Sequence, residues 1–195
     1  LYEYRLAPEH PFPAAIDDTL AAYRWMLQQI APGTRIIIAG ESAGGGLCLA
    51  NLLALRDQGL PMPVAGIALS PWADLKLTGE SYETRIQDSV EPPGMARICS
   101  RYYYAQNDPC HPYISPVYGD MRGLPPLLID VGNDEGIRDD SILFTEKARA
   151  AGVDVTLNVA EGQVHVYPLL PDFIPESKQA MQEQVRQFAG QKIAE

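Results

Sequence analysis

Ser42 lies within Gly40-Glu41-Ser42-Ala43-Gly44, with Ile36-Ile37-Ile38 before it and a Leu/Ala-rich run to Leu55 after it. A serine set between glycines where a strand gives way to a helix has the form of a nucleophile elbow. The chain must reverse sharply there, which leaves Ser42 in strained backbone space with its hydroxyl aimed out of the sheet. Side chains two residues either way would collide, so glycine is expected at both Gly40 and Gly44. The following helix turns its free N–H groups and positive dipole end toward the reacting centre. The N–H of Ala43 is then the candidate oxyanion-hole donor. A phosphate-binding glycine turn is the competing reading, but no lysine follows the glycines and G-x-G-x-x-G is absent.

A serine hydroxyl attacks at neutral pH only if a base takes its proton, and a carboxylate must hold that base in the right tautomer. The chain has three histidines. His10 sits between prolines and His111 sits in Asp108-Pro109-Cys110-His111-Pro112, so both read as turn or packing residues. His165, in Gly162-Gln163-Val164-His165-Val166-Tyr167, follows a strand near the end of the chain. Catalytic groups of open parallel sheets come from loops at the carboxyl ends of strands, and an elbow serine is followed first by its acid and then by its histidine. His165 meets both conditions. The acid then belongs to the loop Asn133-Asp134-Glu135-Gly136-Ile137-Arg138-Asp139-Asp140. Asp139 and Asp140 stand at a helix start, where capping is their default role. Asp134 and Glu135 remain, and periodicity does not separate them.

The elements that must position these groups read as an alternation. Residues 1–6 are expected as a strand, followed by the proline-rich stretch to Pro13. A helix runs from Ala14 to about Ala31, with apolar Ile16, Leu20, Tyr23, Met26, Leu27 and Ile30 at spacings of three and four. The elbow strand and helix come next, then a strand from Val64 to Ser70. Residues 71–112 interrupt the pattern with polar sequence and Tyr102-Tyr103-Tyr104. This irregular insertion is either part of a lid over substrate or a surface excursion whose tyrosines pack on the core. Leu127 to Gly132 and Val153 to Ala160 read as strands, Asp140 to Gly152 as a helix, and Pro175 to Lys192 as a closing amphipathic helix. The order predicts a mostly parallel sheet with helices on both faces, in a single α/β domain over 1–195.

With 195 residues, 46% of them hydrophobic, the chain can bury a substantial core, and its net charge of -10 argues against nucleic acid or an anionic membrane as partner. No apolar run reaches the ~18 residues of a membrane span. Cys48, Cys99 and Cys110 are odd in number and widely spaced, which suggests neither a disulfide framework nor a zinc site. A reducing cytoplasm is the expected compartment. The chain starts without Met, at a point that already reads as strand interior, as though it had been cut.

The residues resemble those of the hormone-sensitive-lipase-like esterases of the α/β-hydrolase superfamily over nearly the whole chain. The likeness is carried by Tyr4-Arg5-Leu6-Ala7-Pro8-Glu9-His10-Pro11-Phe12-Pro13-Ala14-Ala15, by Gly40-Glu41-Ser42-Ala43-Gly44-Gly45, by Ser70-Pro71-Trp72-Ala73-Asp74-Leu75, by Tyr113-Ile114-Ser115-Pro116, and by the acid and histidine loops. The family's acid motif, D-P-L-x-D-E-G, lies over Glu135-Gly136-Ile137-Arg138-Asp139-Asp140-Ser141. That register makes Glu135 the acid. Glu stands for Asp and Gly for Pro, so Asp134 stays open as the alternative.

The resemblance implies hydrolysis of short- to medium-chain carboxylic esters through an acyl-enzyme, with Ser42 as nucleophile, His165 as base and Glu135 as acid, and with no metal or organic cofactor. It also implies that the N-terminal strands, much of the cap and an H-G-G-G oxyanion motif are missing here. Loss of one oxyanion donor typically costs ~10²- to 10³-fold in kcat. A catalytically impaired fragment, a non-catalytic small-ligand-binding protein on the same fold, and an amidase or peptidase are therefore the alternatives. Residues 1–6 are expected to pair with another chain, or the protein to self-associate. The resemblance also implies a homodimer through the last strand and helix, Val153 to Ala160 and Pro175 to Lys192, as family members often form.

Overall fold

Isoleucines before the elbow and the apolar runs at 65–69 and 127–132 have one stable arrangement, a parallel sheet covered on both faces. The structure, a computed structural model, describes residues 2–84, 94–171 and 173–194. Its elements are α1 (Ala14–Gln29), β1 (Ile37–Glu41), α2 (Ser42–Asp57), β2 (Ala65–Leu69), α3 (Ser81–Thr84), α4 (Met95–Tyr104), β3 (Leu127–Gly132), α5 (Arg138–Ala150), β4 (Val155–Ala160), α6 (Pro175–Gln179) and α7 (Arg186–Ala194). The strands lie in the order β1-β2-β3-β4, and each neighbouring pair is parallel.

Alternation along the strands sends side chains to two separate layers. Ala68 of β2 and Ile129 of β3 meet Leu49, Leu52 and Leu53 of α2 and Phe144 and Ala148 of α5 on one face. Ala65, Ile67, Leu69 and Leu128 meet Phe188 of α7 on the other. On the first face α1 packs beside α2, with Ile16, Leu20 and Tyr23 against Leu47, Ala54 and Leu55. Phe144 is wholly buried, and burial of such a side chain is worth about 1.5–3 kcal/mol. Because the strands are parallel, their carboxyl ends share one edge. The corner at Ser42 and the loops that begin at Ser70, Asn133 and Glu161 therefore open side by side.

Four expectations are corrected. The expected strand over residues 1–6 is not formed: Tyr2 to Leu6 carry no strand, and Leu1 lies outside the described residues. A strand needs a ladder partner, and this segment instead spends its groups on α1. Tyr2 Oη donates to Thr19 Oγ1 at 2.7 Å, and Arg5 holds the Asp18 carboxylate through its backbone N–H, Nε and Nη2.

Asp139 and Asp140 do not cap the helix. It starts at Arg138, with Ile137 before it and no side-chain cap. Asp140 Oδ2 instead accepts from the N–H groups of Ala73 and Asp74 at 2.9 and 2.8 Å and from Tyr82 Oη at 3.0 Å. Asp139 Oδ2 accepts from the N–H of Ser81 at 2.9 Å. The pair ties the segment after β2 to α5. Burial pushes the Asp140 carboxyl well above the usual carboxylate range.

The segment from 71 to 112 is more ordered than its composition implied, with α3 and α4 inside it. Residues 85–93 of that insertion lie outside the described residues. Tyr103 packs against the α1–α2 layer, and its carbonyl accepts from the N–H of Phe12 at 2.8 Å, whereas Tyr102 is exposed. The closing helix is helical from Pro175 to Ala194, but a π-helical turn at Ala180–Val185 divides it. Ala180 at the start of this turn and Phe188 beyond it are both buried.

Candidate active site

At the end of β1 the chain turns directly into α2 with Ser42 at φ +52°, a region that residues other than glycine rarely occupy. A Cβ on Gly40 would lie 2.1 Å from the carbonyl oxygen of Gly44, so the corner closes only with glycine at 40. The matching expectation for Gly44 is overturned. A Cβ there meets nothing within 4 Å among the described residues. The next two glycines matter more: a Cβ on Gly45 would sit 2.9 Å from Pro71 Cα, and one on Gly46 would sit 1.9 Å from the carbonyl oxygen of Trp72. The segment after β2 thus lies directly on the first turn of α2, and the N–H of Trp72 donates to the carbonyl of Ser42 at 2.9 Å.

Ser42 Oγ lies 2.8 Å from Nε2 of His165, whose Nδ1 lies 2.8 Å from Oε2 of Glu135. In the tautomer that donates Nδ1–H to this carboxylate, Nε2 accepts from the serine hydroxyl. Glu135 is fully buried and His165 nearly so. The second carboxylate oxygen, Oε1, accepts from Ser70 Oγ at 2.6 Å and from the N–H of Gly132. The turn that aims Glu135 is closed by its N–H on the Gly132 carbonyl at 3.4 Å and by the N–H of Arg138 on its own carbonyl at 3.3 Å. Asp134, one residue earlier, is half-buried, and its N–H donates to Gln163 at 3.1 Å. The acid and histidine loops touch backbone to backbone, since a Cβ on Gly132 would lie 2.3 Å from the Gln163 carbonyl oxygen.

The other histidines lie elsewhere. His10 is exposed, and His111 packs its ring against Phe12 and Tyr113 while its Nδ1 accepts from the N–H of Tyr113 at 3.1 Å. Cys48 is buried under the sheet, where burial pushes its thiol up to about 12. Among the described residues no group of three or more His, Cys, Asp and Glu is placed to hold a metal ion, and no helix is long and apolar enough to cross a membrane. The N–H of Ala43 belongs to the first turn of α2, where helical N–H groups have no acceptor within the helix.

Two groups beside the site were not singled out by sequence reasoning. Ser70 is one, and its only signal is its place in Ser70-Pro71-Trp72. The other is Asp130 of β3, fully buried. Its carboxyl is raised to about 6 chiefly by burial, against hydrogen bonds from Tyr167 and Asn158, with the nearby Glu135 charge adding to the rise. Asp130 Oδ1 has no hydrogen-bond partner among the described residues.

Ser42 and His165 face a cavity of about 500 Å³. Leu47 and Ala50 of α2, Trp72 and Leu75 after β2, and Met95 and Tyr103 of α4 supply much of its wall. Such a lining desolvates an apolar group and leaves the serine hydroxyl and imidazole as polar features at its base.

Comparison with known proteins gives a consistent result. Residues 1–169 match the family described by the alpha/beta hydrolase fold. An acetyl-hydrolase of Streptomyces hygroscopicus is 44% identical over 181 residues, which are 92% of this chain and 60% of the relative. An esterase of Acinetobacter venetianus is 38% identical over 189 residues, 96% of this chain and 62% of the relative. The chain thus spans about three fifths of the length of these curated relatives. Among solved structures, that of EstE5 soaked with p-nitrophenyl butyrate superposes with a TM-score of 0.94 at 47% identity, covering 100% of this chain and 66% of that one. A hormone-sensitive lipase from a metagenome library superposes with a TM-score of 0.94 at 41% identity, covering 98% and 64%.

Proposed function

The chain belongs to the α/β-hydrolase family, on its hormone-sensitive-lipase-like branch, and from that premise we propose that it hydrolyses carboxylic esters of short to medium acyl chain through Ser42, His165 and Glu135. The observation that carries this reading is the unbroken row from Ser42 Oγ through both imidazole nitrogens to Glu135, each link 2.8 Å, opening on an apolar cavity.

The chemistry follows from the row. Ser42 Oγ attacks the ester carbonyl carbon as its proton passes to His165 Nε2. The new positive charge on the ring is held by Glu135 through the Nδ1 proton. The carbonyl oxygen becomes an oxyanion that accepts from the N–H of Ala43, at the positive end of α2. The tetrahedral species collapses, the alcohol leaves with the proton from Nε2, and the acyl group stays on Ser42. Water then attacks the acyl-enzyme, giving its proton to the same nitrogen, and the carboxylic acid departs as Ser42 regains its hydrogen. The apolar wall receives the acyl chain, and burying each further CH₂ there favours binding by up to about 0.8 kcal/mol until the cavity is full.

A panel of p-nitrophenyl esters from acetyl to palmitoyl, with the matching anilides, tests the reading. Ester turnover that peaks at short or medium chain length and disappears in Ser42→Ala is the expected result. Turnover of anilides in preference to esters, or of neither, would overturn it.

A further inference from the structure

Ser70 is the first residue after β2, it is fully buried, and its φ is +44°. Three residues other than glycine with positive φ meet at this site: Ser42 at +52°, Ser70, and Val166 at +57°. Such backbone persists only where surrounding bonds over-determine it. Around Ser70 those bonds are specific. Its N–H donates to the Asp130 carbonyl at 2.7 Å. Its hydroxyl donates to Glu135 Oε1 at 2.6 Å and accepts from the N–H of Val166 at 3.0 Å.

One hydroxyl therefore joins three loops at the carboxyl edge of the sheet. It reaches the acid loop through a carboxylate oxygen and the histidine loop through the N–H next to His165, while being anchored to the loop after β2. The two oxygens of Glu135 are divided by this arrangement. Oε1 is taken by Ser70 and Gly132, and Oε2 is left for His165 Nδ1. Without the hydroxyl, the carboxylate loses a donor that fixes its rotation, and the N–H of half-buried Val166 loses its acceptor.

We propose that Ser70 is a positioning residue for the triad: its hydroxyl sets which oxygen of Glu135 faces the imidazole and holds the histidine loop at the height where Nε2 meets Ser42. It touches neither substrate nor the reacting atoms, and the role rests on the ester-hydrolase reading above.

The test uses the full chain and two variants, Ser70→Ala and Ser70→Gly. Both lack the hydroxyl, but glycine accepts the positive φ that strains alanine, so backbone strain and hydroxyl loss are separated. Three quantities are read: the rate of Ser42 modification by a fluorophosphonate, kcat and KM on a p-nitrophenyl ester, and the low-field proton resonance of the His165–Glu135 hydrogen bond. In both variants modification and kcat should fall about 10- to 100-fold, as expected for loss of a hydrogen bond to a charged group, with KM changed less than about twofold. The low-field resonance should move upfield or broaden away. Wild-type values of rate and resonance in either variant would overturn the proposal. Loss of fold in both, seen by circular dichroism, would also overturn it, because Ser70 would then be a folding residue. If the unmodified chain shows no reaction at Ser42, the ester-hydrolase reading fails separately, and the resonance alone still decides the role of Ser70.

Discussion

A methyl group on Gly40 would fall 2.1 Å from the carbonyl oxygen of Gly44, yet one on Gly44 would enter open space. The two glycines of the elbow are thus unequal. The first permits the corner, and the second only occupies the first turn of α2.

Opposite outcomes follow for the two alanine variants. Gly40→Ala should lose at least about 3 kcal/mol of stability, because backbone atoms rather than a flexible side chain must move. Gly44→Ala should be neutral or gain up to about 1 kcal/mol from helix propensity. Urea unfolding of the two variants beside the parent chain checks this. Equal losses at both positions would contradict the geometry.

Asp130 provides a pH-dependent prediction. Burial raises its carboxyl from 3.8 to about 6, so between those values the folded chain keeps a proton that the unfolded chain has released. The stability linked to this group is full below the unfolded value and falls as pH rises through the folded one. Asp130→Asn removes the ionisation and keeps the shape. Relative to the parent, the variant should therefore gain stability as pH rises from about 4 to about 7, by roughly 2–3 kcal/mol for a shift of this size. Urea midpoints of both proteins across that range measure the difference, in which the contributions of other carboxylates cancel. Parallel curves would show that folding leaves the Asp130 carboxyl unshifted and would contradict the prediction.

Much of this was legible before any coordinates. Strand and helix order could be read because Leu127 to Gly132 and the Leu/Ala run after Ser42 carry strong periodic patterns, and the α/β fold with its parallel sheet follows from their alternation. Ser42 and His165 stand out in the sequence because a motif and a loop position each narrow the choice to one residue, and the fold brings the two within 2.8 Å. Glu135 and Asp134 could not be separated by pattern, since a closed turn at 132–138 aims one carboxylate inward and periodicity does not encode turns. The capping expectation for Asp139 and Asp140 failed because their partners, Ser81, Ala73 and Asp74, lie some 60 residues away in sequence. The strand expected at residues 1–6 failed through nearer competitors, in the helix that follows it. Its composition suited a ladder, but Thr19 and Asp18 of α1 took its polar groups. Ser70 was invisible as a positioning residue because its role depends on a backbone angle and on groups in two distant loops.

The most direct measurement is the intact mass of the chain after incubation with a fluorophosphonate, followed by peptide mapping, for the parent and for His165→Ala. A single adduct on Ser42 is expected in the parent, forming at least about 100-fold more slowly in His165→Ala because the hydroxyl then keeps its proton. An adduct at another residue, no adduct, or equal rates in the two proteins would contradict a serine activated by this histidine.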